Sequence, residues 1–194
     1  MAKENTKARI IAEGARIVRE KGFNNTGIQE ILQAAEVPKG SFYFYFASKE
    51  EFGLHLIDHH MALTRKWMAK YLEAAGLAPL ASMKAFFDDV IHYFEAQGCQ
   101  AGCPVGNIAQ EMADLSEAFR AKVKEAFIEM RNALARCLEA ARLCGEIDPR
   151  TDPYETADFI LNSWEGALLR MKAQKDVQPL TLFDRMIFGV LLRR

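Results

Sequence analysis

Val37-Pro38-Lys39-Gly40-Ser41-Phe42-Tyr43-Phe44-Tyr45-Phe46-Ala47-Ser48-Lys49-Glu50-Glu51-Phe52 decides how the rest of the chain is read. A turn over Pro38, Lys39 and Gly40 leads into an aromatic-rich segment from Ser41 to Phe46. Ser48 then stands three residues before Glu51. That is capping-box spacing, in which hydroxyl and carboxylate satisfy each other's orphan amides at a helix start. Tyr43 and Tyr45 are two apart, so a helix turns them to different sides and one core cannot bury both. A short helix offering lysine, serine and tyrosine from its first turns has charge and hydroxyls for phosphates and side chains for base edges. The expectation is a DNA reader. The plainer reading is a helical hairpin in an enzyme lid.

Upstream, Thr26 and Gln29 have the T-x-x-Q form of a capping box, which predicts a short helix from Gly27 to Ala35 with Ile28, Ile31 and Leu32 as its apolar stripe. The sharp Glu36-Val37-Pro38 turn joins it to the aromatic helix. Two short helices with a tight turn make a helix-turn-helix, the first lying across the DNA backbone and the second in the major groove. A further helix over 3–22 precedes them, with Gly22 as its stop. Residues 1–21 carry Lys3, Lys7, Arg9, Arg16, Arg19 and Lys21 against Glu4, Glu13 and Glu20, whereas the whole 194-residue chain has a net charge of −1. That balance excludes binding to nucleic acid by bulk charge but leaves a local basic end, although most such lysines and arginines are simply solvated helix faces.

Downstream, Phe52, Leu56, Ile57, Met61, Trp67 and Leu72 continue a helical period to about Ala75. No Ser/Gly-rich linker interrupts the chain. The domain boundary is therefore placed within this helix, giving 1–54 and 55–194. Further helices are expected over 80–96, 108–113, 116–144 and 154–175, with Pro179 opening the last. A loop from Gly98 to Asn107 holds Cys99 and Cys103. No strand pattern or repeat is present, so the chain reads as all-α. No apolar run reaches bilayer length and the N-terminus lacks a signal-peptide apolar core, so a cytoplasmic protein with four reduced cysteines is expected.

The segments Gly27-Ile28-Gln29-Glu30-Ile31, Val37 to Phe46 and Ser48-Lys49-Glu50 resemble the DNA-binding domain of the TetR family of transcriptional regulators. The resemblance implies a homodimer whose subunits each pair an N-terminal three-helix reader with a larger helical domain for ligand and dimerisation. It also implies that Thr26, Tyr43, Tyr45 and Lys49 meet phosphates of a double-stranded operator, that Lys39, Gly40 and Ser41 lie near base edges, and that Phe42 and Phe46 face the reader's core. Phe44 departs from the histidine frequent at its position, which leaves that residue without a phosphate contact. Gly102-Cys103-Pro104, Asn107 to Glu111 and Ala113 to Glu117 resemble a narrower group in the family, the repressors of N-ethylmaleimide reductase. In that group a cysteine at the position of Cys103 senses electrophiles, with a lysine matching Lys172.

From the residues alone, Cys103 lies before Pro104 near a helix start, where the dipole and a nearby lysine would favour the thiolate. A small buried hydrophobe is the ordinary role for such a cysteine. Cys99 could resolve an oxidised Cys103. The same pair lacks the further ligands a metal site needs, and no metal or cofactor is expected. Phe94 and Trp164, among other aromatics and methionines, could line an effector pocket or simply form core. The last helix, Leu182 to Leu192, is apolar nearly all round and needs covering, which a four-helix interface between two subunits would provide. No nucleophile–base pair, metal-ligand spacing or phosphate loop supports an enzyme. An interaction protein without DNA binding is the other alternative.

Overall fold

The computed structural model describes residues 2–72 and 76–193. All of its regular elements are helical: α1 (Ala2–Lys21), α2 (Ile28–Ala34), a 3₁₀ turn (Lys39–Ser41) running into α3 (Phe42–Tyr45), α4 (Lys49–Leu72), α5 (Pro79–Ala96), α6 (Pro104–Met112), α7 (Glu117–Leu143), α8 (Pro153–Gln174) and α9 (Gln178–Met186), the last extended by a π-helical turn (Ile187–Leu191). The expected end of α4 at Ala75 and the side chain of Lys3 lie outside the described residues.

The chain divides into two compact units. One comprises residues 1–63 and 104–126, the other 64–103 and 127–194. The first unit therefore holds α1 to α3, the first part of α4, α6 and the start of α7. Its largely aliphatic core holds an aromatic cluster. Phe42, Phe46 and Phe52 are essentially inaccessible and contact one another, with ring centroids 5.1–5.6 Å apart. Phe23 and Phe119 meet edge-on at 5.1 Å. Glycines make room for these rings: a Cβ on Gly14 would come within 2.3 Å of Phe52, and one on Gly53 within 2.4 Å of Phe119.

Local signals explain most helix ends. Gly22 closes α1 at φ +86°, as a left-handed C-terminal residue does. Ser48 caps α4, its Oγ accepting from the Glu51 amide at 3.0 Å while the Glu51 carboxylate takes the Ala47 amide at 2.6 Å. Thr26, in contrast, does not cap α2. Gly27 occupies that position without a side-chain cap, and the buried Thr26 hydroxyl donates to the Gly22 carbonyl at 2.7 Å. The capping-box expectation fails because closing α1 takes up this hydroxyl first. The helix after the Gly98 loop also starts earlier than expected. Pro104 opens α6, since a fixed φ and a missing amide suit the first helical position.

The second unit packs α5, the later parts of α4 and α7, and α8 and α9 around a second aromatic cluster. Phe87, Trp164 and Phe183 form a triangle with centroids 4.9–5.1 Å apart. Asp152 caps α8 by accepting from the amides of Tyr154 and Glu155. Lys84 ties α5 to α9 by bridging Asp88 at 2.8 Å and Asp184 at 2.9 Å.

Candidate nucleic-acid interface and thiol site

The reader element is built from alternation within one short helix. Phe42 and Phe46 point into the aromatic core and anchor α3 from below. Tyr43 and Phe44 are left 69% and 64% exposed on the other side. Burying two rings holds the helix rigidly enough to present two others to solvent. The turn before it is fixed by Glu36, which takes a left-handed φ of +53°, and by the Val37 amide donating back to the Leu32 carbonyl at 2.9 Å. Lys39 and Gly40 are exposed on the 3₁₀ turn, Ser41 and Tyr45 half-buried. A Cβ on Gly40 would meet nothing within 4 Å, so the backbone there is open to close approach.

Lys49 differs from the other reader residues. Its ammonium donates to the Asn24 carbonyl at 3.3 Å and lies 4.8 Å from the Phe23 ring centroid. Burial pulls its pKa below the ordinary lysine value, partly offset by the Glu111 carboxylate. Thr26 is 1% exposed. Lys39, Gly40, Ser41, Tyr43 and Tyr45 therefore share one presenting segment, while Thr26 and Lys49 brace the turn between α1 and α2.

That turn is also held from α6. The Glu111 carboxylate accepts from the amides of Phe23 at 3.0 Å and Asn24 at 2.8 Å. Nothing in the local sequence signals this role for Glu111, because no spacing rule links positions 88 apart. Ser116 and Lys122 add contacts to α4, through Glu50 and, at 2.6 Å, Asp58.

In the second unit, the segment leading to Cys103 has unusual backbone. Gly98, Cys99, Ala101 and Gly102 all have φ between +56° and +77°. Glycine adopts this region freely, whereas Cys99 and Ala101 hold it at a steric cost. Cys103 is half-buried, with the Glu165 carboxyl on α8 as a polar neighbour. Burial raises the Glu165 pKa above the ordinary carboxylate range, with the Cys103 contact working against it. Lys172 is half-buried seven residues further along the same helix, two turns away on the same face. Glu165 is the second residue that sequence reading missed.

The other thiols differ. Burial, with a smaller contribution from nearby charges, raises the Cys99 pKa. Burial pushes Cys137 up to about 11, and its Sγ lies 3.1 Å from the Pro79 carbonyl oxygen. Phe94 and Trp164 are both buried. Trp164 belongs to the aromatic triangle, and neither residue lines either of two cavities among the described residues of this unit. One cavity, about 310 Å³, lies between Leu77, Pro79, Ser82, Arg136 and Cys137. The other, about 460 Å³, is a trough on α8 and α9 between Phe159, Ala167, Leu182, Met186 and Val190. Among the described residues, no group of His, Cys, Asp and Glu could hold a metal ion, and no helix is long and apolar enough to cross a membrane.

A helix-turn-helix unit followed by a helical bundle is the architecture of a transcriptional regulator, and the comparisons with known proteins agree. The family model for bacterial regulatory proteins of the tetR family matches residues 10–55, and that for the tetracyclin repressor-like C-terminal domain matches residues 79–187. The chain belongs to the TetR family of DNA-binding transcriptional regulators and is not an enzyme. It is 31% identical to the transcriptional repressor DhaR of Mycobacterium sp. (strain GP1) over 192 residues, covering 99% of this chain and 95% of the relative. It is 30% identical to the repressor NemR of Escherichia coli (strain K12), with coverage of 91% and 88%. The structure of reduced E. coli NemR superposes with a TM-score of 0.87 at 27% identity, covering 96% of this chain and 97% of that one. A regulatory protein TetR from Rhodobacter sphaeroides also gives 0.87, at 36% identity and coverage of 94% and 96%.

Proposed function

We propose that the chain is a cytoplasmic, homodimeric repressor that holds a palindromic operator through residues 1–54 and is released by a small electrophilic or apolar effector acting on residues 55–194. Lys39, Gly40, Ser41, Tyr43 and Tyr45 are assigned to the DNA surface. Thr26 and Lys49 are left as braces, since their polar groups are engaged within the chain. The observation that carries the reading is the outward pair Tyr43 and Phe44 on a helix pinned by Phe42 and Phe46. A soluble domain has no folding reason to hold two large rings so firmly in water.

Cys103 is the proposed effector-reactive group, with Lys172 assisting and Phe94 and Trp164 shaping the effector domain from its core. Support comes from its half-exposure and its polar neighbour Glu165, against the buried Cys137. With a maleimide, the Cys103 sulfur would add to the ring's carbon–carbon double bond, and the neighbouring carbon would take up a proton. The partner surface is the α8–α9 face, where Phe159, Leu182, Met186 and Val190 are exposed around the trough.

The test is fluorescence anisotropy of the protein on its own upstream DNA during N-ethylmaleimide treatment. Wild type is expected to release the DNA and Cys103→Ala to retain it, with Cys137 unlabelled in both. Retention by both proteins would remove Cys103 from the mechanism and leave a non-covalent effector.

A further inference from the structure

Glu111 is the one carboxylate in the first unit whose two oxygens each take a main-chain amide, from Phe23 and Asn24, among the described hydrogen bonds. These amides belong to the turn that connects α1 to α2, four to five residues before α2 begins. Capturing both fixes the turn's orientation as well as its position. Position 22 is shaped around the same carboxylate. Gly22 has a φ of +86°, and a Cβ there would stand 2.7 Å from Glu111 Oε1. From the other side, Lys49 holds the Asn24 carbonyl and is attracted to Glu111. The turn is thus gripped through its N–H groups by α6 and through its C=O by α4.

We infer that Glu111 is a positioning residue for DNA recognition, a grip by which α6 sets the α1–α2 turn and, through it, the helix-turn-helix. Cys103 immediately precedes α6, and Glu111 stands eight residues later. The role concerns how the reader is held and rests on the DNA-binding reading above.

The grip has three distinct signatures. Glu111→Gln replaces one accepting oxygen by an NH₂ that faces an N–H donor. Glu111→Asp keeps the charge but shortens the reach by one methylene. Gly22→Ala leaves Glu111 intact, strains the positive φ, and pushes the carboxylate away.

The experiment combines amide hydrogen exchange with anisotropy titrations on the upstream DNA and on a random duplex, using the full-length protein. In Glu111→Gln and Gly22→Ala, the Phe23 and Asn24 amides should exchange about tenfold faster, the scale of losing one charge-assisted hydrogen bond. Affinity for the upstream DNA should fall by a similar factor while random-duplex affinity stays constant. Glu111→Asp should fall between these variants and wild type, and it serves as the test if Glu111→Gln fails to melt cooperatively. A residue that merely stabilises the fold would lower both DNA affinities together. Unchanged exchange, or faster exchange with wild-type DNA affinity, would overturn the inference. Failure of wild type itself to bind the upstream DNA would instead overturn the DNA-binding reading.

Discussion

The α3 surface and the α8–α9 surface both leave large apolar side chains in water, and they do so differently. On α3 the exposed rings are Tyr43 and Phe44, set beside Lys39 and Ser41 and pinned by buried Phe42 and Phe46. On α8, α9 and the π-helical turn after it, Phe159, Leu182, Met186, Val190 and Leu191 are exposed around a trough of about 460 Å³ with Arg170 as its one charged lining residue. The first surface is small, partly hydroxylated and next to a lysine, which suits a polyanion. The second is broad and aliphatic, which suits another apolar surface. Exposure alone does not identify a partner. The polar groups mixed into the exposed patch do.

The largest effect should come from breaking the aliphatic side. Leu182→Glu combined with Met186→Glu would place four like charges in the proposed dimer seam. The double variant should run as a monomer in size-exclusion chromatography with light scattering. Its affinity for a two-site palindrome should fall on the order of a hundredfold, because bivalent gain is lost. A dimer that persists would move the interface elsewhere.

Beneath the α3 surface, Phe42→Ala should destabilise the protein by about 3–5 kcal/mol, the usual cost of emptying an aromatic core position. Denaturant melts would show it. Tyr43→Ala, one residue away, should leave the midpoint nearly unchanged while weakening DNA binding. The contrast between adjacent residues sharpens the division between anchor and contact.

A smaller effect belongs to the α4 histidines. Burial, with His59 and Arg19 nearby, lowers the pKa of His60 from the ordinary 6.5 to about 4. The folded state therefore holds His60 neutral where the unfolded chain would protonate it. Its contribution is fully present above about pH 6.5 and is lost as pH falls toward 4. A difference of this size corresponds to about 3 kcal/mol over that window. Melts at pH 7.5 and 4.5 should show a larger drop for wild type than for His60→Gln. Equal drops would mean that His60 takes up its proton without penalty.

Much of this was legible in the sequence, for physical reasons. The all-α architecture followed from helical periods, and the Ser48 cap from a local spacing that the structure realises. The α3 alternation was visible because five consecutive aromatics, Phe42 to Phe46, cannot all be buried. The Thr26 cap was misread because a threonine before a helix can serve the preceding turn just as well. The early start of α6 was available in Pro104, whose place at a first helical turn outweighs its place in a glycine-rich loop. Glu111 and Glu165 were not legible at all. Each works through a partner far away in the chain, and a carboxylate on an amphipathic helix has the same sequence appearance whether it is solvated or engaged.

The central claim is that α3 and the turn before it carry DNA recognition. The direct measurement is the affinity of wild type, Lys39→Ala and Tyr43→Ala for the upstream DNA across a salt series, with circular dichroism melts of the same samples. The account predicts unchanged melting, binding weakened about tenfold in each variant, and a salt slope for Lys39→Ala shallower by about one if that lysine meets a phosphate. If it reads a base instead, the loss should appear on the upstream DNA and not on random duplex. Wild-type affinity and wild-type slope in both variants would contradict the account.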